Sequence, residues 1–486
     1  MTDARDVTAR APAARHPAQL WIASTYFAEG YPYSIVNNLA EVVFASLGAS
    51  LGAVGLTSLF HLPWNLKFLW APFVDAYGTK RRWLLGIEVG LVAMLVAAAF
   101  ASSSAASVPA LSIAFIALAL LSATHDVAID GFYLTALDES EQSRFVGLRQ
   151  LSYKLANLLV RGPAIVLAGL VGWRLGMLAL AALMGAVTLA HVALLPRDEV
   201  ERRSFGELAR WLLRPRVAGA ATLLGGLAVG LRSAWPRVAS TPIGRVPMEA
   251  YLALALGVSL VWLRARRSTS KPAESPYRAA FSGFLAQPRA WVILAFVLLF
   301  RTGESFLQKM KWPFLRDALH LSLAEYGIAN GTFGVAASFA GTLLGGFLIS
   351  RHGLRRWIWP FVVAQNGLHL LYVWLAAYAA RGAVSLSTIT AVICVEHVGE
   401  GLGTAVFTVF LMRCCDPEHR AAHMAIVTAL MSIGFTVAGM ASGYLAEALG
   451  FVRYFGFTFV VTIPSMALIV VLPYLDGRSV TRAPAH

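Results

Sequence analysis

The chain has 486 residues, of which 58% are hydrophobic and 14% are charged, and its mean hydropathy is +0.65. Roughly one-quarter of the residues of a soluble domain are charged, so this composition excludes an ordinary soluble protein and indicates a bilayer protein. The net charge of +14 comes from bases in short loops and tails. They form no stripe with interleaved aromatic residues, which argues against a nucleic-acid partner.

The first segment, residues 1–18, carries three arginines and no cleavage site for a removed signal. We expect this tail to be cytoplasmic and the first hydrophobic helix to be retained. Apolar runs of about 20 residues, long enough to cross the hydrocarbon core, follow in two sets of six. They lie near 19–46, 51–74, 83–103, 108–137, 145–171 and 174–196, and near 290–315, 323–350, 357–380, 384–412, 420–449 and 452–474.

These runs are nearly continuous in hydrophobicity, and the breaks between them are short, which favours helices over a barrel of alternating strands. The sequence therefore predicts an all-α polytopic membrane protein. We expect an N-terminal six-helix bundle at 19–196, a C-terminal six-helix bundle at 290–475 and a cytoplasmic tail at 476–486.

The segment between the bundles, residues 197–289, is a basic linker with two weaker apolar runs at 217–235 and 248–263. Two additional membrane helices would make fourteen spans, whereas an interfacial insertion would leave twelve. Both flanks are strongly basic, and an even number of crossings keeps them on one side, so fourteen is favoured. The purpose of this insert does not follow from its sequence.

Lysine and arginine collect in alternate loops, which places both termini in the cytoplasm of a multi-pass protein of the inner membrane. One group is discordant, because Lys309, Lys311 and Arg316 fall at the outer end of the seventh core helix. Two interpretations stay open for this group. The side chains extend toward lipid headgroups, or they attract an anionic solute into the mouth of the protein.

Two loops repeat one pattern, since Asp75-Ala-Tyr-Gly-Thr-Lys-Arg-Arg82 returns in altered form as Ser350-Arg-His-Gly-Leu-Arg-Arg356. Gly78 and Gly353 are 275 positions apart, far more than a solenoid unit. Two related halves around a midplane site explain this distance. We expect these loops to form a cytoplasmic gate that pairs charges across the halves in one state, through Asp75, Gly78, Lys80, Arg81, Gly353 and Arg355.

Ionisable residues within the predicted spans form the candidate site, because each costs several kcal/mol in lipid unless it faces a cavity or a partner. The candidates for proton coupling or for lining a substrate cavity are Glu29, Asp126, Asp130, Lys154, Arg301, Glu304, Glu396 and Glu400.

Two carboxylate pairs have the same spacing, since Asp126 and Asp130 recur as Glu396 and Glu400, each pair four residues apart and so on one helix face. Neighbouring carboxylates out of water cannot easily both ionise, so one of them can carry a proton. The alternative is that bases such as Lys154, Arg161 or Arg301 neutralise them and only lock helix packing. Arg301 and Glu304 can likewise form a gate or a static bridge.

Enzyme signatures are weak. His125 and Asp130 have a spacing found in some acyltransferases, but no phosphate cradle, nucleophile elbow or Walker sequence accompanies them. The three cysteines have neither a disulfide pattern nor zinc-ligand spacing. We therefore expect no metal and no cofactor, and a proton gradient as the energy source.

The chain resembles the major facilitator superfamily and, within it, the peptide and acetyl-CoA transporter group that includes the AmpG-type muropeptide permeases. The matching pieces are the loop at Asp75, Gly30-Tyr-Pro32, Leu62-Pro-Trp-Asn-Leu-Lys-Phe-Leu-Trp-Ala-Pro72, His125-Asp-Val-Ala-Ile-Asp-Gly131, Tyr153-Lys-Leu155, Trp312-Pro-Phe-Leu-Arg-Asp317, Glu396-His-Val-Gly-Glu-Gly-Leu-Gly-Thr-Ala405 and Gly443-Tyr-Leu-Ala-Glu447. The resemblance covers both halves but not residues 197–289.

The resemblance implies a secondary transporter that imports a bulky amphipathic solute, such as an anhydromuropeptide, is driven by protons and works by alternating access. A siderophore importer of the same fold is the alternative, and a polytopic enzyme or sensor is the alternative of another class. The resemblance also implies functional roles for Asp126, Asp130, Glu304, Glu396 and Gly403. The expected partners are a small-molecule solute and the bilayer, with the monomer as the functional unit.

Overall fold

The computed structural model describes residues 17–67, 70–102, 108–197, 203–212, 282–416 and 420–476. Within these ranges the chain is helical and contains no strand, as the composition predicts. The two weak apolar runs at 217–235 and 248–263 lie outside the described residues. Fourteen spans therefore stay a prediction.

Helices cover each of the six ranges expected in the first half. They are α1 (Ala18–Ser34), α2 (Ala40–Ser46), α3 (Leu51–Leu56), α4 (Leu62–Leu66), α5 (Ala71–Ala76), α6 (Lys80–Ala101), α7 (Val108–Ala136), α8 (Glu139–Arg161), α9 (Pro163–Val171) and α10 (Trp173–Leu194). A short helix, α11 (Phe205–Leu212), follows at the start of the linker.

The second half is helical in the same way. Its helices are α12 (Ala290–Phe300), α13 (Thr302–Asp317), α14 (Leu323–Tyr326), α15 (Val335–His352), α16 (Leu354–Gly367), α17 (His369–Ala379), α18 (Leu386–Cys414), α19 (Arg420–Val460) and α20 (Ile463–Leu468).

Several predicted spans are built from more than one helix. Pro32 lies inside α1, where it removes a backbone donor, and a π-helical stretch, Ile35–Leu39, then joins α1 to α2. A 3₁₀ turn, Thr57–His61, separates α3 from α4. Gly450 has a φ of 71°, so α19 bends sharply there and its two parts are separate spans.

Nine helical stretches among the described residues are long and apolar enough to cross a membrane. The interrupted helices of residues 18–76 are not among them, and Ile426–Val471 counts once although it bends at Gly450. These two features explain why the count is below the twelve ranges predicted outside the linker.

The two halves meet closely at one end, the end at which α3 and α14 begin, which we name the closed end. A Cβ atom added to Gly443 of α19 would lie 1.8 Å from the carbonyl oxygen of Leu51, and one added to Gly331 would lie 1.7 Å from that of Arg161. Only glycine permits such approaches of backbone to backbone. The loops of Gly78 and Gly353 lie at the opposite end of these helices.

Candidate functional site

A cavity of about 260 Å³ lies between the halves, next to the closed end. Its walls come from the π-helical turn, the 3₁₀ turn, the end of α8, and from α13, α18 and α19. The charged and titratable side chains that line it are Tyr33, Glu41, His61, Arg161, Arg301, Glu304, Lys309 and Glu400. Three of these, Arg301, Glu304 and Glu400, were predicted as site residues from the sequence.

Arg301 lies in the break between α12 and α13 and contacts two carboxylates. Its Nε donates to Glu304 Oε2 at 3.0 Å and its Nη2 to Glu304 Oε1 at 2.7 Å, while Glu400 Oε1 is 3.7 Å from Nη2. The forked contact with Glu304 is the strong bidentate kind. One guanidinium faces two carboxylates, so this group has a surplus acid.

Lys309 crosses between the halves. Its Nζ lies 2.8 Å from Glu41 Oε2 and donates to Thr57 Oγ1 at 3.1 Å, and both acceptors belong to the first half. The lysine is 6% exposed. The side chain therefore does not extend toward lipid headgroups, whereas the attraction of an anionic solute stays a prediction, since Lys309 lines the cavity.

Lys311 is buried as well, and it pairs with Glu396. Its Nζ lies 2.6 Å from Glu396 Oε2, to which the Tyr372 hydroxyl also donates, and Gln308 Nε2 donates to Glu396 Oε1 at 3.3 Å. The lysine is 0% exposed and the glutamate 2%, and neither lines the cavity. Glu396 is therefore neutralised by a base that the sequence interpretation had placed at the surface.

A second acidic cluster lies in the first half, away from the lining of the cavity. Lys67 bridges to Asp126, and Arg149 Nη2 donates to Asp130 Oδ1 at 2.9 Å. Glu29 interacts through its side chain with Asp126, and its Oε2 is buried without a partner. Three acids thus share two bases in this cluster.

Lys154 is placed apart from both acidic groups. Its side chain is exposed, and its Nζ lies 4.4 Å from the ring centroid of Phe339. It makes no ion pair with a carboxylate among the described residues, so it does not neutralise the predicted pairs. Arg149, which pairs with Asp130, was missed because it lies close to the start of the predicted span at 145–171.

The repeated basic loops make ion pairs within their own halves. Lys80 bridges to Asp75 and donates to the Val74 carbonyl at 2.8 Å, and Arg355 lies 2.5 Å from Asp476. Arg81 donates to the Val192 carbonyl at 2.8 Å. Gly78 and Gly353 both have positive φ, 67° and 81°, which explains the glycine in each copy. No pair of these residues bridges the halves in the described part of this structure.

A buried triad was also missed. Glu88 Oε1 lies 2.6 Å from His191 Nδ1 and 3.2 Å from His125 Nε2, and all three residues are fully buried. His125 therefore contacts Glu88 and not Asp130. This contact argues against the acyltransferase interpretation of the His125 and Asp130 spacing. A single glutamate inside the apolar run of α6 was the available signal.

Glu396, His397 and Glu400 place three ligand atoms within 4.8 Å of one another, a spacing that suits a metal ion. The ammonium of Lys311 and the guanidinium of Arg301 already face these carboxylates. A divalent cation would meet like charges there, so the donor set fits a metal poorly.

Comparison with known proteins gives two family matches. The Major Facilitator Superfamily model matches residues 302–485, and the Acetyl-coenzyme A transporter 1 model matches residues 24–149. The anhydromuropeptide permease of Escherichia coli K12 is 25% identical over 451 residues, covering 92% of this chain and 77% of the permease.

Solved transporters have the same fold. A POT family transporter in complex with 5-aminolevulinic acid has a TM-score of 0.64 at 13% identity, covering 94% of this chain and 96% of its own. A bacterial homolog of the lysosomal transporter Spinster, inward-facing and unoccupied, has a TM-score of 0.63 at 15% identity, covering 93% and 95%.

The fold and these matches together define a multi-pass membrane transporter of small molecules, and not an enzyme. The resemblance to the major facilitator superfamily and to its AmpG-type permeases is thereby confirmed.

Proposed function

We propose that this transporter imports anhydromuropeptides across the cytoplasmic membrane by proton-coupled alternating access, with both termini in the cytoplasm. The observation that supports this cargo is the similarity to an anhydromuropeptide permease over 92% of this chain and 77% of the permease. The polar cavity between the halves is consistent with it, because amide, hydroxyl and charged groups line its walls. A sugar-peptide offers hydrogen-bonding partners for all of them.

Proton coupling is supported by acids that outnumber their bases at two places. Glu29, Asp126 and Asp130 share Lys67 and Arg149, and Glu304 and Glu400 share Arg301. In a low-dielectric interior, one acid of each group is most easily neutralised by a proton. A bound proton at either place can therefore change with the conformation of the halves.

Alternating access is supported by the uneven contact between the halves. Glycine-mediated contacts and the Lys309–Glu41 bridge join them at the closed end, whereas the charges of the opposite loops pair within each half. With the basic loops in the cytoplasm, this structure corresponds to the inward-facing state. The outward-facing state requires these closed-end contacts to separate.

Uptake into proteoliposomes tests the function. Labelled anhydromuropeptide should accumulate when the pH outside is lower than inside, and a protonophore should abolish the accumulation. A siderophore panel run in parallel tests the alternative cargo. Accumulation of siderophores and not of anhydromuropeptide would overturn the cargo, and chemically altered product inside the vesicles would overturn the transporter itself.

A further inference from the structure

We propose that Arg161 is the anion-binding group of the cavity and holds a carboxylate of the cargo. This inference rests on the proposed function for the identity of the cargo, and on the structure for the site. It begins with the position of Arg161 at the end of α8, where Gly162 and Pro163 break the helix and the side chain lines the cavity.

Arg161 differs from the other cations of the cavity in having no counterion in contact. Lys309 is bridged to Glu41, and Arg301 to Glu304 and Glu400. Among the described residues, Arg161 makes neither an ion pair nor a side-chain hydrogen bond. A guanidinium carries five donors in a planar fork that matches a carboxylate. An unpaired one inside a transporter is costly unless a ligand or water meets it.

A second side chain on the cavity wall also lacks a partner. The Ser58 hydroxyl is buried, lines the cavity and makes no hydrogen bond. Buried hydroxyls are rarely left unpaired in native proteins, so this oxygen is available to a bound molecule. It adds to the guanidinium a neutral polar group of the kind that fixes a ligand's orientation.

The charges of the cavity explain why an anion and a proton would bind together. The lining carries three bases and three acids, namely Arg161, Arg301, Lys309, Glu41, Glu304 and Glu400. Lys309 is neutralised by Glu41, and Arg301 by one of its two carboxylates. The remaining carboxylate of Glu304 and Glu400 is therefore the only charge in the lining that balances Arg161. A proton on Glu304 or Glu400 leaves Arg161 unbalanced and favours an anion, and by linkage a bound anion favours that proton.

Other titratable groups do not offset this balance. Tyr33 and His61 line the same cavity, and neither makes an ion pair among the described residues. His61 Nδ1 lies 2.8 Å from Asn37 Oδ1, and Glu396 is held by Lys311. Gln365, from α16, contacts Glu304 at 3.4 Å and carries no charge. The surplus acid at Arg301 therefore remains the counterpart of Arg161.

The location suits uptake from the outer side. The carbonyl of Arg161 touches Gly331 in the tight contact at the closed end. Separation of α8 and α9 from the Gly327–Gly334 turn would expose the guanidinium to the side from which the cargo arrives. The same residue then faces the cavity when the contact forms again.

Binding to the purified protein tests the proposal with two labelled compounds, anhydromuropeptide with free carboxylates and the same compound with its carboxylates converted to amides. The wild type should bind the free acid about tenfold more tightly than the amide. Arg161→Gln should bind both forms alike, at the affinity of the amide. Arg161→Lys should keep part of the preference, because it keeps the charge but loses the fork.

Arg174→Gln is the matched control, since Arg174 is exposed and its guanidinium lies over the ring of Phe100, away from the cavity. It should bind both compounds as the wild type does. Equal affinity of the wild type for acid and amide, or an unchanged preference in Arg161→Gln, would overturn the proposal. The wild-type comparison decides the matter even if Arg161→Gln does not fold.

Failure of the cargo is distinguishable from failure of the site. If the wild type binds neither compound, thermal unfolding in succinate or inorganic phosphate is the readout. A rise in Tm for the wild type and for Arg174→Gln, but not for Arg161→Gln, supports the anion site without the cargo. If neither anion raises the Tm of the wild type, the proposed anion site is overturned as well.

The proton linkage has its own variant. Glu400→Gln fixes one carboxylate of the surplus pair in a neutral form, so preference for the free acid should persist as the pH rises from about 5.5 to 8. In the wild type that preference should weaken over the same interval, since deprotonation restores the counterion of Arg161. The same pH profile in both proteins would overturn the linkage.

Discussion

The carboxylates at equivalent positions of α7 and α18 have different surroundings. Asp126 contacts Lys67 and belongs to a group with a surplus acid, whereas Glu396 is enclosed with Lys311. A fully enclosed pair exchanges protons only if the pair separates, because either partner alone would be a bare charge in the interior. The sequence repeat therefore places acids alike, but their neighbours give them different capacities.

Asp130 is the most accessible acid of the first-half cluster, with a side chain 43% exposed. We expect Asp130→Asn to abolish proton-driven accumulation, because the amide cannot titrate but has almost the same volume. The amide oxygen can still accept the hydrogen bonds that Tyr26 and Arg149 donate. The measurement is uptake into proteoliposomes under an imposed pH gradient, with protein content checked in the same vesicles.

Counterflow without a gradient should survive in Asp130→Asn, which separates coupling from binding. Asp317→Asn is the control, since Asp317 is exposed and pairs only with its neighbour Arg316 among the described residues. Accumulation by Asp130→Asn at the wild-type level would refute the role.

We infer that the Glu88 triad stabilises the packing of α6, α7 and α10, because all three of its side chains are buried between these helices. Replacing Glu88 with alanine leaves two buried imidazoles without their acceptor, at a cost on the order of 2 kcal/mol. We expect a lower Tm for Glu88→Ala in detergent, and an intermediate Tm for Glu88→Gln, which keeps a carbonyl oxygen. Equal Tm values for all three proteins would show that these contacts do not stabilise the bundle.

Among elements, the contact between α8, α9 and the Gly327–Gly334 turn depends on glycine. A methyl group on Gly331 cannot fit against the Arg161 carbonyl. We expect Gly331→Ala to disfavour the closed end and to lower transport severalfold. Gly346→Ala is the control in the following helix, because a Cβ there meets nothing within 4 Å.

Accessibility reports the state directly. In a Ser58→Cys protein whose Cys394 is replaced by serine, Gly331→Ala should speed labelling by a membrane-impermeant thiol reagent added from outside. An unchanged labelling rate, or equal effects of Gly331→Ala and Gly346→Ala, would contradict the assignment of this contact as the outer closure.

The helices themselves follow from sequence because a run of apolar residues in lipid has to satisfy its backbone internally. Broken helices are harder to foresee. Pro32 indicated the first interruption, but the 3₁₀ turn at Thr57–His61 and the break at Arg301 carry no equally clear signal. The acids were found from their position in apolar runs, whereas their partners depend on the rotation of neighbouring helices. Lys311 and Arg149 were therefore missed as partners.

For the whole molecule, the Lys309–Glu41 bridge is the ion pair that joins the halves among the described residues, so it ties their relative position to charge. Reversing one member, as Glu41→Lys, places two cations together at the closed end. We expect this change to open that end and to lower uptake at least tenfold, since like charges in a poorly solvated site repel strongly.

The double exchange, Glu41→Lys with Lys309→Glu, restores opposite charges and should recover a substantial part of uptake. Recovery will be incomplete, because Thr57 receives a hydrogen bond from the lysine in the natural arrangement. The same exchange at Arg316 and Asp317, neighbours on the exposed side of α13, should leave uptake unchanged. If the double exchange transports no better than Glu41→Lys, the bridge does not act by joining the halves.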